Sequence, residues 1–170
     1  MDFKHLLLVL SIVLLSCDSN KKDKKQPYPR WVGDISHDPN IDEENFKLCH
    51  GDDHIYQYFN MQRGLQFEGE KIAVERYFLK NYQPVKTNQS GWIRVRFIVN
   101  CKGETGRFRM LESDENYKER PFDKKISKQL VTLSKALKGW KIQTKDDEPI
   151  DYYQYLIFKI KNGEIEKVMP

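Results

Sequence analysis

Three cysteines and two closely spaced histidines are the residues whose types and spacing could do chemistry. Cys49, His50 and His54 lie near one another, and the two histidines are spaced to share one face of a helix. Cysteine and histidine are common zinc ligands. However, Gly51 lies between the histidines and disfavours a helix there. The cluster therefore favours a solvated polar loop over a zinc site, and we expect no metal or cofactor.

The first cysteine, Cys17, ends an N-terminal segment that has the features of an export signal. A short basic start is followed by an apolar core from Leu6 to Leu15. The sequence Leu14-Leu15-Ser16-Cys17 resembles the lipobox of bacterial lipoproteins, whose cysteine becomes the acylated first residue. The resemblance implies a signal peptide over residues 1–16 and lipidation of Cys17. It also implies a membrane-anchored protein of the cell envelope that faces the periplasm. An ordinary secretory signal with an incidental cysteine is the alternative.

Cys49 and Cys101 are the two cysteines that remain in the mature chain. An exported protein folds in an oxidising compartment, so an even pair is most simply a disulfide. Such a bond would close a loop of about 50 residues and add about 2–4 kcal/mol to the free energy of unfolding. Two free thiols are the alternative.

The sequence contains no motif typical of an enzyme. No nucleophile has an adjacent general base, and neither a Gly-x-Ser-x-Gly motif nor a phosphate-binding loop occurs. The carboxylates of Asp146, Asp147 and Glu148 lie in a predicted turn, where solvation explains them. The net charge of +4 is too small and too dispersed to predict nucleic-acid binding. We therefore expect neither catalysis nor a nucleic-acid partner.

A predicted β-hairpin at the centre of the chain carries arginines on one of its faces. Apolar residues alternate from Ile93 to Val99, which is the period of a strand with one buried face. A turn at residues 101–104 leads into a second strand, whose Phe108 and Met110 fall on the buried side. The arginines on the opposite face are Arg94, Arg96, Arg107 and Arg109. They predict a solvated sheet face, with a binding surface for an acidic or carbohydrate ligand as the alternative.

Two helices and a last strand complete the predicted domain. The first helix is predicted over Glu70–Tyr82, with Pro84 ending it. A second helix is predicted because apolar residues recur at steps of four and three, and this stripe should cover the hairpin. Its members are Phe122, Ile126, Leu130, Leu133, Leu137 and Trp140. A last strand is predicted from Asp151 to Ile160.

The mature chain before the first helix divides into two parts. Residues 17–45 are polar and rich in lysine, which predicts a lipidated tether without a core. Residues 46–68 are rich in aromatic side chains and are predicted to pack as an extension on the main domain, residues 69–170.

The order of elements from Glu70 to Ile160 resembles the C-terminal domain of TonB, the periplasmic energy transducer. The details are most similar to small TonB-like lipoproteins of Bacteroidetes. The matching stretches are Tyr82–Pro84, Gly91 at the start of a strand, Asn100–Glu104, Leu130–Leu137, Gly139–Lys141 and Glu148–Ile150. The resemblance implies an α+β fold, with a three-stranded antiparallel sheet and helices packed on one face. A lipid anchor and a short tether replace TonB's transmembrane segment and proline-rich rod, so energy transduction is not implied.

The resemblance also implies a partner. In TonB the last strand accepts the TonB-box peptide of an outer-membrane receptor by strand addition, a mode of recognition that uses an exposed strand edge. Tyr153, Tyr155, Ile157 and Lys159 would line that contact here. We therefore predict a lipid-anchored binding module of the cell envelope. A structural lipoprotein that self-associates through the same edge is the alternative.

We expect Cys17→Ala to abolish lipid labelling and to release the protein from membranes. The lipobox interpretation predicts this result because Cys17 is the residue that would carry the lipid. Carbonate-washed membranes from cells that make the variant provide the measurement. A variant that still fractionates with washed membranes would contradict the lipobox interpretation.

Overall fold

The computed structural model describes residues 33–57 and 64–169, which form a mixed β-sheet with two helices. Its strands are β1 (Ile55–Gln57), β2 (Gly91–Val99), β3 (Thr105–Ser113), β4 (Gln143–Lys145), β5 (Glu148–Lys161) and β6 (Glu164–Met169). Its helices are α1 (Glu70–Asn81) and α2 (Lys124–Ala136). The predicted signal peptide, the lipidation site Cys17 and the tether up to residue 32 lie outside the described residues.

β5 is the central strand of the sheet. One of its flanks pairs with β2 along Tyr152–Ile160, and β3 pairs with the far side of β2, both in antiparallel register. Its other flank pairs with β1 in parallel and with β6 in antiparallel register, while β4 forms a short hairpin with its start. The predicted three-stranded antiparallel sheet is therefore wrong. The sheet has six strands in the described part of the chain and is mixed.

Two tight turns connect β5 to strands that the sequence pattern does not predict. Asp146 (φ 52°) and Asp147 (φ 66°) join β4 to β5, and Asn162 (φ 50°) and Gly163 (φ 80°) join β5 to β6. Positive φ at both central residues is the mark of a type I′ turn, whose twist matches that of antiparallel strands. The chain therefore does not leave the sheet after Ile160 but returns along β5 as β6.

The apolar face of the sheet lies beneath the helices, as the periodicity predicts. The bounds of α1 agree with the prediction to within one residue, and its Phe78 ring meets Phe158 edge-on at 4.7 Å. α2 packs over β2 and β3, and its Ile126 and Leu130 are fully buried. Asp123 is the N-cap of this helix, and its carboxylate accepts a hydrogen bond from the backbone N–H of Lys125. The sheet residues in this core include Ile93, Val95, Phe97, Val99, Tyr152, Leu156, Phe158 and Ile160.

We expect Leu130→Ala to lower the free energy of unfolding by about 2–5 kcal/mol, because the side chain is fully buried and its loss leaves a cavity. Lys128→Ala, on the exposed side of the same helix, should change it by less than about 0.5 kcal/mol. Urea denaturation followed by circular dichroism measures both. Equal effects of the two substitutions would contradict the packing described for α2.

Candidate functional site

The arginine face of the sheet is covered by residues 33–54, here called the covering segment. Arg96 donates a hydrogen bond to the carbonyl of Gly33, and Arg107 donates to the carbonyl of Ile35 at 3.2 Å. Arg107 also forms an ion pair with Asp52. The prediction that this face is solvated is wrong, because an earlier part of the same chain supplies the acceptors for its guanidinium groups.

The strongest of these contacts joins Arg109 to Asp42. Two nitrogens of Arg109 contact the two carboxylate oxygens of Asp42 at 2.6 and 2.9 Å, a bidentate geometry that gives strong, directional hydrogen bonds. The Asp42 side chain is only 2% exposed. The hydrogen bond from Arg109 lowers the pKa of Asp42 to about 2, against the opposing effect of burial. Arg109 also donates to the carbonyl of Ser36 at 2.7 Å, so one arginine holds two points of the covering segment.

Tyrosines of β5 contact the other two arginines of this face. The guanidinium of Arg94 lies 5.3 Å from the ring centre of Tyr155, and that of Arg96 lies 5.6 Å from the ring centre of Tyr153. These are cation–π contacts. Burial lowers the pKa of both arginines and raises that of Tyr153. The aromatic rings therefore help to accommodate two guanidinium groups that are partly removed from water.

The covering segment also has a small apolar core. Ile35, Ile98 and Tyr153 are buried together, and Phe46 packs against them. The ring of Phe46 lies so close to Gly106 of β3 that a side chain at that position would collide with it. The predicted tether therefore does not extend to residue 45, because residues 33–45 are part of the folded domain.

Cys49 and Cys101 form the predicted disulfide, with their Cα atoms 6.1 Å apart. Beside it, the fully buried carboxylate of Asp151 accepts hydrogen bonds from the backbone N–H groups of Cys49 (2.8 Å), His50 (3.0 Å) and Cys101 (2.9 Å). These two cysteines and Asp151 are the cluster of metal-ligand type in the described residues. The sulfur atoms are bonded to each other and the carboxylate oxygens accept N–H groups, so this cluster serves the fold.

The predicted partner-binding residues do not lie on an exposed edge. The hydroxyl of Tyr153 accepts a hydrogen bond from the backbone of Ile35 and lies 3.3 Å from a carboxylate oxygen of Asp34. Ile157 and Lys159 pair with β6, and the Lys159 ammonium contacts the Glu166 carboxylate at 2.7 Å. The prediction that the strand carrying Tyr153, Tyr155, Ile157 and Lys159 is an edge is wrong, because the flank assumed to be open pairs with β1 at residues 151–153 and with β6 at residues 157–161.

The structure places an open strand edge at β3 instead. Within the described ranges, the outer flank of β3 is paired at its end alone, where Ser113 bridges to Glu119. The carbonyl of Glu112 accepts a hydrogen bond from the backbone N–H of Arg120, so this oxygen points away from β2. Backbone groups alternate in direction along an antiparallel strand, so the N–H and C=O of Met110 point outward as well. Locating this edge requires the strand order, which no sequence pattern indicates.

No family model, curated protein or solved structure matches the chain. In the part of the chain that the structure describes, no helix is long and apolar enough to cross a membrane.

We expect the Arg109–Asp42 ion pair to make stability depend on pH in acid. Folding lowers the pKa of Asp42 from 3.8 to about 2. The ionised carboxylate therefore contributes fully to the free energy of unfolding above the unfolded-state pKa of 3.8, and this contribution is lost as the pH falls through the folded-state pKa of about 2. A shift of this size corresponds to about 2 kcal/mol in the free energy of unfolding.

Urea denaturation at a series of pH values, compared with Asp42→Asn, isolates this effect. The variant should be less stable at neutral pH, and the difference from the wild type should shrink towards pH 2. A difference that does not change with pH would contradict the ion pair as the cause.

Proposed function

We propose that this protein is a lipid-anchored binding module of the bacterial cell envelope, and not an enzyme. Its outer β3 edge takes an extended segment of a partner protein by strand addition. The lipobox-like sequence ending at Cys17 supports the anchor. The observation that carries the binding proposal is the outward-pointing backbone of Met110 on a strand whose outer flank is unpaired there among the described residues.

An unpaired edge strand promotes aggregation unless a structural feature blocks it or a binding partner pairs with it. The first half of β3 is blocked. It contains a bulge where Arg107 and Phe108 oppose a single residue of β2, and the Phe46 ring lies against Gly106. The second half, from Arg109 to Leu111, has neither feature. This asymmetry supports use of the second half as a docking edge for a short peptide.

The side chains along the edge favour a partner with apolar residues at alternate positions. Phe108 and Met110 are half-buried and pack against the core on the helix side of β3, where Val131 of α2 is also half-buried. An added strand would place every second side chain on that side. The Lys135 ammonium lies 5.6 Å from the Phe108 ring centre and contacts Glu43 at 3.0 Å. A charged side chain therefore borders the apolar surface that Phe108 and Met110 form.

The resemblance to TonB makes peptides of outer-membrane receptors the first candidates. We expect Met110→Pro to weaken binding of such a peptide by tenfold or more, because proline lacks the outward N–H that the added strand would use. It should still fold, since that N–H makes no bond to β2. Met110→Val retains the N–H and is the matched control.

Fluorescence anisotropy with labelled receptor peptides measures binding to the full chain, and circular dichroism measures folding. A folded Met110→Pro variant that binds as tightly as wild type would contradict strand addition at β3. A wild-type protein that binds no receptor peptide but forms a dimer sensitive to Met110→Pro would support the self-associating lipoprotein instead. A monomeric wild type that binds none of the peptides would overturn the proposal.

A further inference from the structure

We propose that the outer surface of α1, α2 and residues 83–86, here called the helix layer, docks on the headgroups of an anionic lipid bilayer. The inference rests on the proposed function in one respect, because the lipid anchor would keep the domain beside a membrane. The contact itself is made by residues of the folded domain. It is therefore a second membrane attachment, separate from Cys17.

α2 presents a basic surface to solvent. It contains no aspartate or glutamate. Ile126 and Leu130 point into the core, and the exposed side of the helix carries Lys124, Lys125 and Lys128. A helix that is apolar on one side and carries only positive charge on the other is attracted to negatively charged surfaces.

An open cavity of about 530 Å³ lies between residues 83–86 and the first half of α2. Its charged lining residues are Lys86, Lys125 and Lys128, and it has no carboxylate. The side chain of Gln129 holds its wall in place, because it accepts from the backbone N–H of Gln83 at 2.9 Å and donates to the Gln83 carbonyl at 3.1 Å. The cavity therefore offers convergent positive charge to a phosphate-bearing headgroup.

The distribution of ion pairs distinguishes this surface from the rest of the domain. Arg107, Arg109 and Lys159 each contact a carboxylate. No ion pair to Lys86, Lys125 or Lys128 is formed within residues 33–57 and 64–169. Lys135 of α2 pairs with Glu43, and α1 carries Glu70 and Glu75, so the excess positive charge of the helix layer lies around Lys86, Lys125 and Lys128. This charge is the complement of an anionic bilayer surface.

α1 adds an apolar component to the same surface. Ile72 and Leu79 are 59% and 54% exposed, and they lie two turns apart on the side opposite the buried Val74 and Phe78. The hydroxyl of Tyr77 donates to the carbonyl of Leu133, which ties α1 to α2. Large apolar side chains beside lysines are characteristic of helices that lie in the membrane interface. A soluble acidic partner would complement the charge of the lysines but would leave Ile72 and Leu79 without an apolar environment.

A fluorescent probe on the helix layer of the reconstituted full chain tests the proposal. Thr132→Cys places a reactive thiol on the exposed side of α2, and Asp53→Cys places one on the covering segment. Each carries an environment-sensitive fluorophore. The vesicles are phosphatidylcholine, with or without phosphatidylglycerol, and contain a nitroxide-labelled lipid. We expect quenching of the Thr132 probe in anionic vesicles at low salt, little quenching in neutral ones, and none at Asp53.

Matched lysine substitutions separate a specific surface from net charge. Replacing Lys86, Lys125 and Lys128 with glutamine should reduce quenching at Thr132 to the level of neutral vesicles. Replacing the exposed Lys102, Lys161 and Lys167 with glutamine removes the same charge elsewhere and should leave quenching unchanged. Equal effects of the two triple variants, or no response of the Thr132 probe to anionic lipid, would overturn the proposal.

Carbonate-resistant flotation of the same samples reports on the anchor independently. If the chain does not float after carbonate treatment, the anchor part of the proposed function has failed. The Thr132 probe is then placed in a Cys17→Ser background, where quenching by anionic vesicles at low salt still supports docking and its absence still contradicts it.

Discussion

The arginines of β2 and β3 that face the covering segment are the constraint on which the rest of the structure depends. A guanidinium that is removed from water must find acceptors, because an unpaired buried charge is very costly. Arg96, Arg107 and Arg109 find theirs in the covering segment, as main-chain carbonyls and as the carboxylates of Asp42 and Asp52. Residues 33–54 are therefore a structural part of the domain, since without them these arginines would lose their acceptors.

The covering segment is fixed at its far end by one buried carboxylate. Asp151 receives N–H groups from Cys49 and His50 on the segment and from Cys101 on the β2–β3 turn. The disulfide joins the same two stretches covalently. Asn100 reinforces the junction, because its side chain accepts from the backbone of the turn and donates to the carbonyl of Lys47. Covalent and polar contacts thus act on the same pair of loops.

The sequence predicts the helices and the long strands because each has a clear period and enough length to display it. β1 and β4 have three residues each, too few to show alternation, and their existence depends on the neighbour they pair with. β6 has a sequence signal, since Asn162-Gly163 is a strong hairpin turn, but the predicted last strand stops at Ile160 with no strand after it. No sequence signal indicates that Asp42 is the partner of Arg109. Asp42 lies 67 residues away in a polar stretch whose composition is typical of a tether. The disulfide was predictable because the lipobox assignment left one pair of cysteines.

The additional strands change what the resemblance to TonB can mean for this chain. β1 and β6 put the strand that would accept a receptor peptide inside the sheet, so the strand addition that we propose uses the opposite end of the sheet, at β3. The covering segment and the helix layer occupy the two faces of the sheet, so the proposed partner would bind at the β3 edge. A domain docked through its helix layer would hold the sheet roughly parallel to the bilayer, with the β3 edge directed sideways. An edge in that orientation meets segments that lie close to the same membrane, which is where a partner anchored in the envelope would present an extended peptide. The proposed docking surface and the proposed β3 binding edge are therefore mutually compatible, because neither uses the surface of the other.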